Sequence, residues 1–154
     1  MANKPKYDYS RFVIPTEIEH KDGIYVLTDD EYYYIGKAYR GNDNGFRQRY
    51  GDYVSNEGRG EIDCAGDEFF QLNKNVKMHW LFWSDKDRID KCRKIEDFLI
   101  KQYRIIHGDK LLNKDVKGSK FVVFEDVKSY FKLEHQVNIP LMLEHGIMKR
   151  SSEW

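Results

Sequence analysis

The sequence lacks the features that mark several large classes of protein. It contains two cysteines in 154 residues, too few for a disulfide framework or a four-cysteine zinc site. No apolar run approaches the roughly 20 residues that a membrane-spanning helix needs. The first ten residues, MANKPKYDYS, contain no apolar segment typical of a secretory signal. These absences predict a cytoplasmic protein with no membrane partner.

An excess of charge of one sign is also missing. The 26 basic and 26 acidic residues cancel, which argues against a protein that coats nucleic acid over its whole surface. Positive charge is nevertheless frequent between residues 37 and 59, which favours a local basic groove there. The candidate nucleic-acid contacts are Lys37, Arg40, Arg47 and Arg59. A mixed, solvated surface explains the same segment equally well.

The composition, 40% hydrophobic and 15% aromatic, is that of one folded domain. Strand-like runs at 23–37 and 76–84 and helical patterns at 45–53, 69–72 and 86–106 predict an α/β fold. We expect a small three-stranded antiparallel sheet flanked by helices, with a C-terminal strand and helix extension. The expected boundaries are an N-terminal arm at 1–21, a core at 22–115 and the extension at 116–154.

The stretch GIYVLTDDEYYYIGK, residues 23–37, predicts a β-hairpin around an acidic turn. A hairpin that turns symmetrically about Asp29 and Asp30 places Tyr25 opposite Tyr34. Gly23 and Gly36, on the same face, are expected to leave space for the close approach of a ligand. An ordinary aromatic cross-strand pair is the alternative explanation for the two tyrosines.

The segment FRQRYGDY predicts a short helix that aims one arginine at the hairpin. Phe46, Arg49 and Tyr53 fall on one face, whereas Arg47 points away from it. An arginine fork suits a phosphate because it offers paired donors and stays charged. The alternative is a surface arginine beside Asp52.

Glu96 interrupts the apolar stripe of the long helix. Its neighbours on the stripe are Ile89, Cys92, Leu99, Tyr103 and Ile106. A carboxylate on a core-facing stripe must be paired, protonated or bound to a cation. Mg²⁺ is commonly held by one or two carboxylates with water and phosphate in the other positions. A salt bridge to Arg49 is the structural alternative.

The order of these residues resembles the GIY-YIG endonuclease superfamily. The triplets Gly23-Ile24-Tyr25 and Tyr34-Ile35-Gly36 match its signature, and an arginine, a tyrosine or histidine, a glutamate and an asparagine follow in the family's order. Those positions fall on Arg49, Tyr53, Glu96 and Asn113. The resemblance covers roughly residues 22–115. The eight-residue spacer between the triplets is slightly short for the family, which implies a tighter hairpin.

The resemblance implies a metal-dependent endonuclease that hydrolyses phosphodiester bonds in DNA. Tyr25 would deprotonate or orient the attacking water, with help from Tyr34 and Lys37. Arg49 would stabilise the transition state, and Tyr53 would contact the phosphate or assist the leaving group.

By the same resemblance, Glu96 would hold one Mg²⁺ or Mn²⁺ ion. Asn113 and Gly36 would support the site rather than react. The biological setting stays open between restriction, a phage or mobile element, and repair.

Two alternatives accompany this interpretation. The chain is either an active nuclease or a catalytically silent nucleic-acid-binding module that keeps the nuclease fold. One active site holds one scissile phosphate, so cleavage of both strands would need either two subunits, as in a homodimer, or two encounters with the DNA. The apolar C-terminal segment VNIPLMLEHGIM is either the contact surface of such a homodimer or part of the core.

Overall fold

A computed structural model describes residues 9–38, 45–84, 89–114 and 136–147. The four strands of the described chain are β1 (Phe12–Val13), β2 (Asp22–Thr28), β3 (Tyr33–Ala38) and β4 (Lys77–Ser84). The four α-helices in the same ranges are α1 (Gly45–Arg59), α2 (Ala65–Leu72), α3 (Ile89–His107) and α4 (Ile139–Glu144). None of these helices is both long and apolar enough to span a membrane.

The strands form one mixed sheet in the order β1-β4-β2-β3. Strand β1 is parallel to β4, and the other neighbours are antiparallel. The predicted α/β class is therefore confirmed. The predicted three-stranded antiparallel sheet was incomplete, because β1, which lies in the predicted N-terminal arm, adds a fourth strand. The buried Arg11 guanidinium holds this segment in place, donating to the backbone carbonyls of Phe70 and Val76.

The predicted hairpin forms, but its register differs from the prediction. Tyr25 pairs with Gly36, and Tyr34 pairs with Leu27. The shift is two residues, because the last strand pair is Thr28 with Tyr33 and the turn is centred one residue later than expected. An even shift leaves each side chain on its original face, so Tyr25 and Tyr34 still share a face.

Two helical layers cover the two faces of the sheet. Helices α1 and α2 pack against the face that carries Tyr25 and Leu27. Helix α3 packs against the other face, with Ile24, Val26 and Ile35. This division places predicted site residues from α1 and α3 on opposite faces.

The helix boundaries differ most where glycines interrupt the pattern. Helix α1 continues six residues beyond its predicted end at 53, to Arg59, and α2 begins four residues earlier than expected, at Ala65. Helix α3 ends at His107, one residue after the predicted end at 106, and Gly108 follows with a positive φ. Ile106 is 44% exposed, so its assignment to the buried stripe was wrong.

The described part of the C-terminal extension packs into the core. Val137 forms a bridge to Phe82 of β4, and Met142 of α4 is fully buried. These apolar residues therefore complete this domain, and Leu143 is left 40% exposed. Residues 116–135 of the predicted extension and the predicted start of the long helix at 86 lie outside the described residues.

Candidate functional site

The candidate site begins with a tyrosine packed over a glycine. The ring of Tyr25 lies against Gly36, its cross-strand partner, where any Cβ atom would overlap it. At Gly23 the backbone carbonyl of Phe82 and the ring of Phe46 occupy the space that a Cβ atom would need. The expectation that these glycines leave room for a ligand was therefore wrong. Gly36 admits an aromatic ring, whereas Gly23 admits the close approach of the β4 backbone as well as a ring.

Helix α1 brings two polar groups to the hydroxyl group of Tyr25. The Tyr53 hydroxyl lies 2.5 Å from it, and Arg49 Nε donates to it over 3.2 Å. The Arg49 guanidinium also sits 4.7 Å from the centre of the Tyr53 ring and 3.7 Å from the Asp52 carboxylate. The predicted helix face, with Phe46 buried as its anchor, is thus confirmed.

Burial controls the protonation of the two hydroxyl groups. The pKa of Tyr25 is raised because burial disfavours the phenolate, although Arg49 and Tyr53 both oppose the shift. Burial likewise raises the pKa of Tyr53. Both groups therefore remain neutral phenols at neutral pH, and Arg49 supplies the positive charge of the cluster.

Tyr34 and Cys64 complete this side of the site. Tyr34 is half-buried, and burial followed by the neighbouring Tyr25 raises its pKa. Cys64 lies within hydrogen-bond reach of Tyr34, and its Sγ is 3.9 Å from a terminal nitrogen of Arg49. Cys64 was not among the site residues predicted from the sequence.

The position of Cys64 follows from the start of α2. Cys64 occupies the N-cap, and its Sγ lies 3.6 Å from the buried carboxylate of Asp67 at the third helical position. Next to it, Gly66 has no room for a side chain, because a Cβ atom would lie 2.6 Å from the Tyr53 hydroxyl. The segment Cys64-Ala65-Gly66-Asp67 has the spacing of a capping box, with cysteine in place of serine and aspartate in place of glutamate, although the Cys64 side chain makes no capping hydrogen bond. That spacing was the available signal.

Glu96 is on the other face of the sheet. It lies beside Lys37, which is on the opposite face of β3 from Tyr34 and Gly36. Burial raises the pKa of Glu96 to about 7, and the nearby positive charge of Lys37 opposes the shift. Arg49 pairs with Asp52 instead, and the described residues contain no Glu96–Arg49 ion pair.

Glu96 offers a cation one carboxylate, so water and other ligands would have to supply the rest of its shell. The described residues contain no group of three or more histidine, cysteine, aspartate or glutamate side chains that could enclose a metal ion. A half-buried carboxylate with a raised pKa gains from a nearby cation, because the cation offsets the lost hydration. Mg²⁺ accepts such a site when phosphate and water complete its shell.

Asn113 holds the outer edge of β3. Its side-chain oxygen accepts from the Ile35 amide and its nitrogen donates to the Ile35 carbonyl, both over 2.8 Å. Ile35 lies between Tyr34 and Gly36, so this clamp fixes the backbone that carries the second triplet. The arrangement agrees with a supporting role.

The predicted basic groove is not continuous in the described residues. Arg47 pairs with Glu19, and the exposed Arg59 pairs with Glu61. The two arginines are 12 residues apart on α1, about 18 Å along its axis. Lys37 is exposed on the α3 face, and Arg40 lies outside the described residues.

Comparisons with known proteins give no assignment. No family model matches the sequence, and no curated protein or solved structure matches it significantly. The interpretation of the site therefore rests on its own geometry and on the resemblance of its motifs.

Proposed function

We propose that this protein is a cytoplasmic, metal-dependent DNA endonuclease with a GIY-YIG-type active site. The observation that carries the proposal is the contact of Arg49 with both Tyr25 and Tyr53. The sequence order of these residues resembles the superfamily, and their convergence on one cluster is what such a site requires. The packing of Tyr25 over Gly36 gives a physical reason for the two triplets.

In this proposal Arg49 binds the scissile phosphate. Its guanidinium is partly exposed, with 19% of the side chain accessible, and stays charged at every relevant pH. A preorganised donor of this kind stabilises the negative charge that develops on the phosphate oxygens. Tyr25, held neutral by burial, orients the attacking water by hydrogen bonding instead of removing its proton. Tyr53 holds the side chains of Tyr25 and Arg49 in position, through its hydroxyl group and its ring respectively.

Glu96 and Lys37 serve the same phosphate from the opposite face of the edge strand. Glu96 would hold the Mg²⁺ or Mn²⁺ ion, which when bound supplies charge stabilisation for the phosphate and the leaving oxygen. Lys37, exposed at the end of β3, would contact a neighbouring phosphate. The strand between the two groups is the edge strand β3, and Asn113 covers its edge at Ile35, so a phosphate that meets both faces would approach beyond Ile35, at the end of β3 that carries Lys37.

A catalytically silent nucleic-acid-binding module is the second candidate. It is favoured by the burial of Tyr25 and Tyr53, which are 1% and 0% exposed and bonded to each other. A binding module would use Arg49 and Lys37 but would have no need of the Glu96 carboxylate.

Cleavage assays separate the two candidates. Supercoiled plasmid, linear duplex and single strand are incubated with Mg²⁺, with Mn²⁺ and with chelator. We expect metal-dependent cleavage that falls by about 10²–10³-fold in Arg49→Ala, the usual cost of losing a donor to the transition state. Glu96→Gln should also lose cleavage while DNA binding persists.

Arg47→Ala is the matched control, because Arg47 lies on the same helix but pairs with Glu19 away from the cluster. Its cleavage rate should stay near that of the wild type. Equal losses in the Arg47 and Arg49 variants would indicate general electrostatic attraction and contradict the assigned site. DNA binding without cleavage under every condition would favour the silent module.

A further inference from the structure

An open groove lies between α2 and the turn of the hairpin. Its volume is about 600 Å³, which is within the range of ligand-binding clefts. One wall is the α2 face that carries Ala65, Glu68, Phe69 and Leu72, and the turn forms the other. We call this feature the α2 groove.

Apolar side chains in the α2 groove are unusually exposed. Leu72 is 78% exposed and Tyr32 is 39% exposed, although Phe69 beneath them is buried. A single exposed leucine needs no explanation, but an aromatic ring and a leucine that line one concave surface indicate a contact surface. The apolar part of an occupant can therefore be buried here.

The charge of the α2 groove has one sign. Asp29, Glu31 and Glu68 line it, and no lysine or arginine is among its described lining residues. Asp29 is fixed, since its carboxylate accepts from the Glu31 amide at 3.0 Å and from the Asn73 side chain at 2.6 Å. Within the described chain none of the three carboxylates forms an ion pair. Such a surface repels phosphates and attracts lysine and arginine side chains.

We infer that the α2 groove docks a short, basic, apolar-anchored segment of a partner protein. The stretch from Ala65 to Leu72 is about 10 Å long, which matches three or four residues of an extended chain. Leucine or aromatic side chains of that segment would cover Leu72 and Tyr32. Its lysine or arginine side chains would pair with Glu31 and Glu68.

The position of the groove couples docking to the candidate site. Ala65 lies between Cys64, which contacts Arg49, and Gly66, which packs on Tyr34. A bound segment therefore borders the Tyr34 side of the site and restricts the approach of other ligands. The docking itself does not depend on nuclease activity, and the test below contains no cleavage step.

The test uses the full chain and a defined probe, the amidated peptide Arg-Leu-Trp-Lys. Amide chemical shifts in two-dimensional NMR spectra report where it binds, alongside the acidic peptide Glu-Leu-Trp-Glu and a tetrathymidylate. We expect the basic peptide to shift the resonances of Tyr32, Glu68 and Leu72. The acidic peptide and the oligonucleotide should leave these resonances unchanged.

Substitutions in the groove should weaken the basic peptide without endangering the fold. Leu72→Ser, at an exposed position, and the double variant Glu31→Gln with Glu68→Gln should each weaken binding about fivefold. Ile105→Ser is the matched control, because Ile105 is 75% exposed on α3 across the sheet. Equal affinity in all variants overturns the inference, as does the absence of shifts in the groove. Shifts of the groove resonances with tetrathymidylate but not with the basic peptide would indicate that the groove binds nucleic acid, and would also overturn the inference.

Discussion

The phenolic oxygens of Tyr25 and Tyr53 lie 2.5 Å apart in the core, and Arg49 contacts both residues. The two hydroxyl groups are not equivalent. Tyr25 has two partners, whereas Tyr53 is hydrogen-bonded to Tyr25. Loss of the Tyr25 hydroxyl therefore removes a partner from two groups at once.

Tyr25→Phe should accordingly destabilise the fold more than Tyr53→Phe. We expect a loss of about 2–3 kcal/mol for the first and about 1 kcal/mol for the second, because unsatisfied buried polar groups are costly. Urea denaturation of both variants and of the double variant measures the coupling between the hydroxyl groups. Strictly additive losses would mean that the short contact contributes no interaction energy.

Glu96→Gln tests the carboxylate without any DNA. The pKa of Glu96 is about 7 in the folded protein, above the ordinary 4.5. Between pH 4.5 and pH 7 the folded protein therefore keeps a proton on Glu96 that the unfolded chain has released. The stability that this proton provides is lost as the pH rises through 7. Glutamine does not ionise, so at pH 8 without metal the variant should be more stable than wild type by about 1–2 kcal/mol. At pH 5 the difference should largely vanish.

The effect of added Mg²⁺ on the melting temperature is a second test of the Glu96 carboxylate. Mg²⁺ should raise the melting temperature of the wild type at pH 8 more than at pH 6, because the cation competes with the proton on Glu96. It should have no effect on Glu96→Gln, and Glu17→Gln, at an exposed position, should behave like the wild type. A Glu96→Gln variant that is less stable than the wild type at pH 8 would identify the carboxylate as a structural partner.

The two cysteines should differ in reactivity. Cys64 is partly exposed at the site, whereas Cys92 is 1% exposed and burial raises its pKa to about 12. Only the thiolate reacts, so iodoacetamide should modify Cys64 in the folded protein and spare Cys92. Mass spectrometry of a peptide digest locates the label.

Modification of Cys64 should also block cleavage by the proposed nuclease, because the added group lies between Arg49 and Tyr34. Cys64→Ser should keep its activity and resist the reagent. Loss of activity in a treated Cys64→Ser sample would show that the inhibition arises elsewhere.

Gly36→Ala should disrupt the candidate site through backbone packing alone. A methyl group at this position overlaps the Tyr25 ring, which is fully buried and has no open space to move into. We expect a loss of about 1–3 kcal/mol, as for other overpacked cores. The matched control is Gly51→Ala in α1, where a Cβ atom meets nothing within 4 Å. That variant should gain about 0.5–1 kcal/mol from improved helix propensity, so thermal melting should move in opposite directions for the two substitutions.

Local patterns predicted the part of the site that depends on local geometry. The alternation of the hairpin placed Tyr25 and Tyr34 on one face, even though the register was off by two residues, and the spacing of one helix placed Arg49 and Tyr53 on one face. That the two faces meet was implied only by the family resemblance. Which face of the sheet a helix covers is not a local property. The apolar stripe around Glu96 therefore predicted burial but could not show that α3 lies across the sheet from α1.

Two other features escaped the sequence for different reasons. Strand β1 has two residues, and its partner Met78 is far along the chain, so no periodicity marks it. Cys64 lies in a segment that contains several glycines, a pattern that predicts a loop. Its position is set by the start of α2 and by the buried Asp67 carboxylate, which also accepts from the Asn56 side chain. Such contacts depend on tertiary packing.

The clamp formed by Asn113 has a consequence for behaviour in concentrated solution. Strand β3 is the open edge of the sheet, and unpaired edges recruit strands from other molecules. Here the amide of Leu112 donates to the Tyr33 carbonyl, and the Asn113 side chain occupies both outward polar groups of Ile35. The chain after α3 thus acts as a substitute neighbour strand. It keeps the edge that carries the second triplet from seeding intermolecular β-sheet and leaves the molecule resistant to aggregation there.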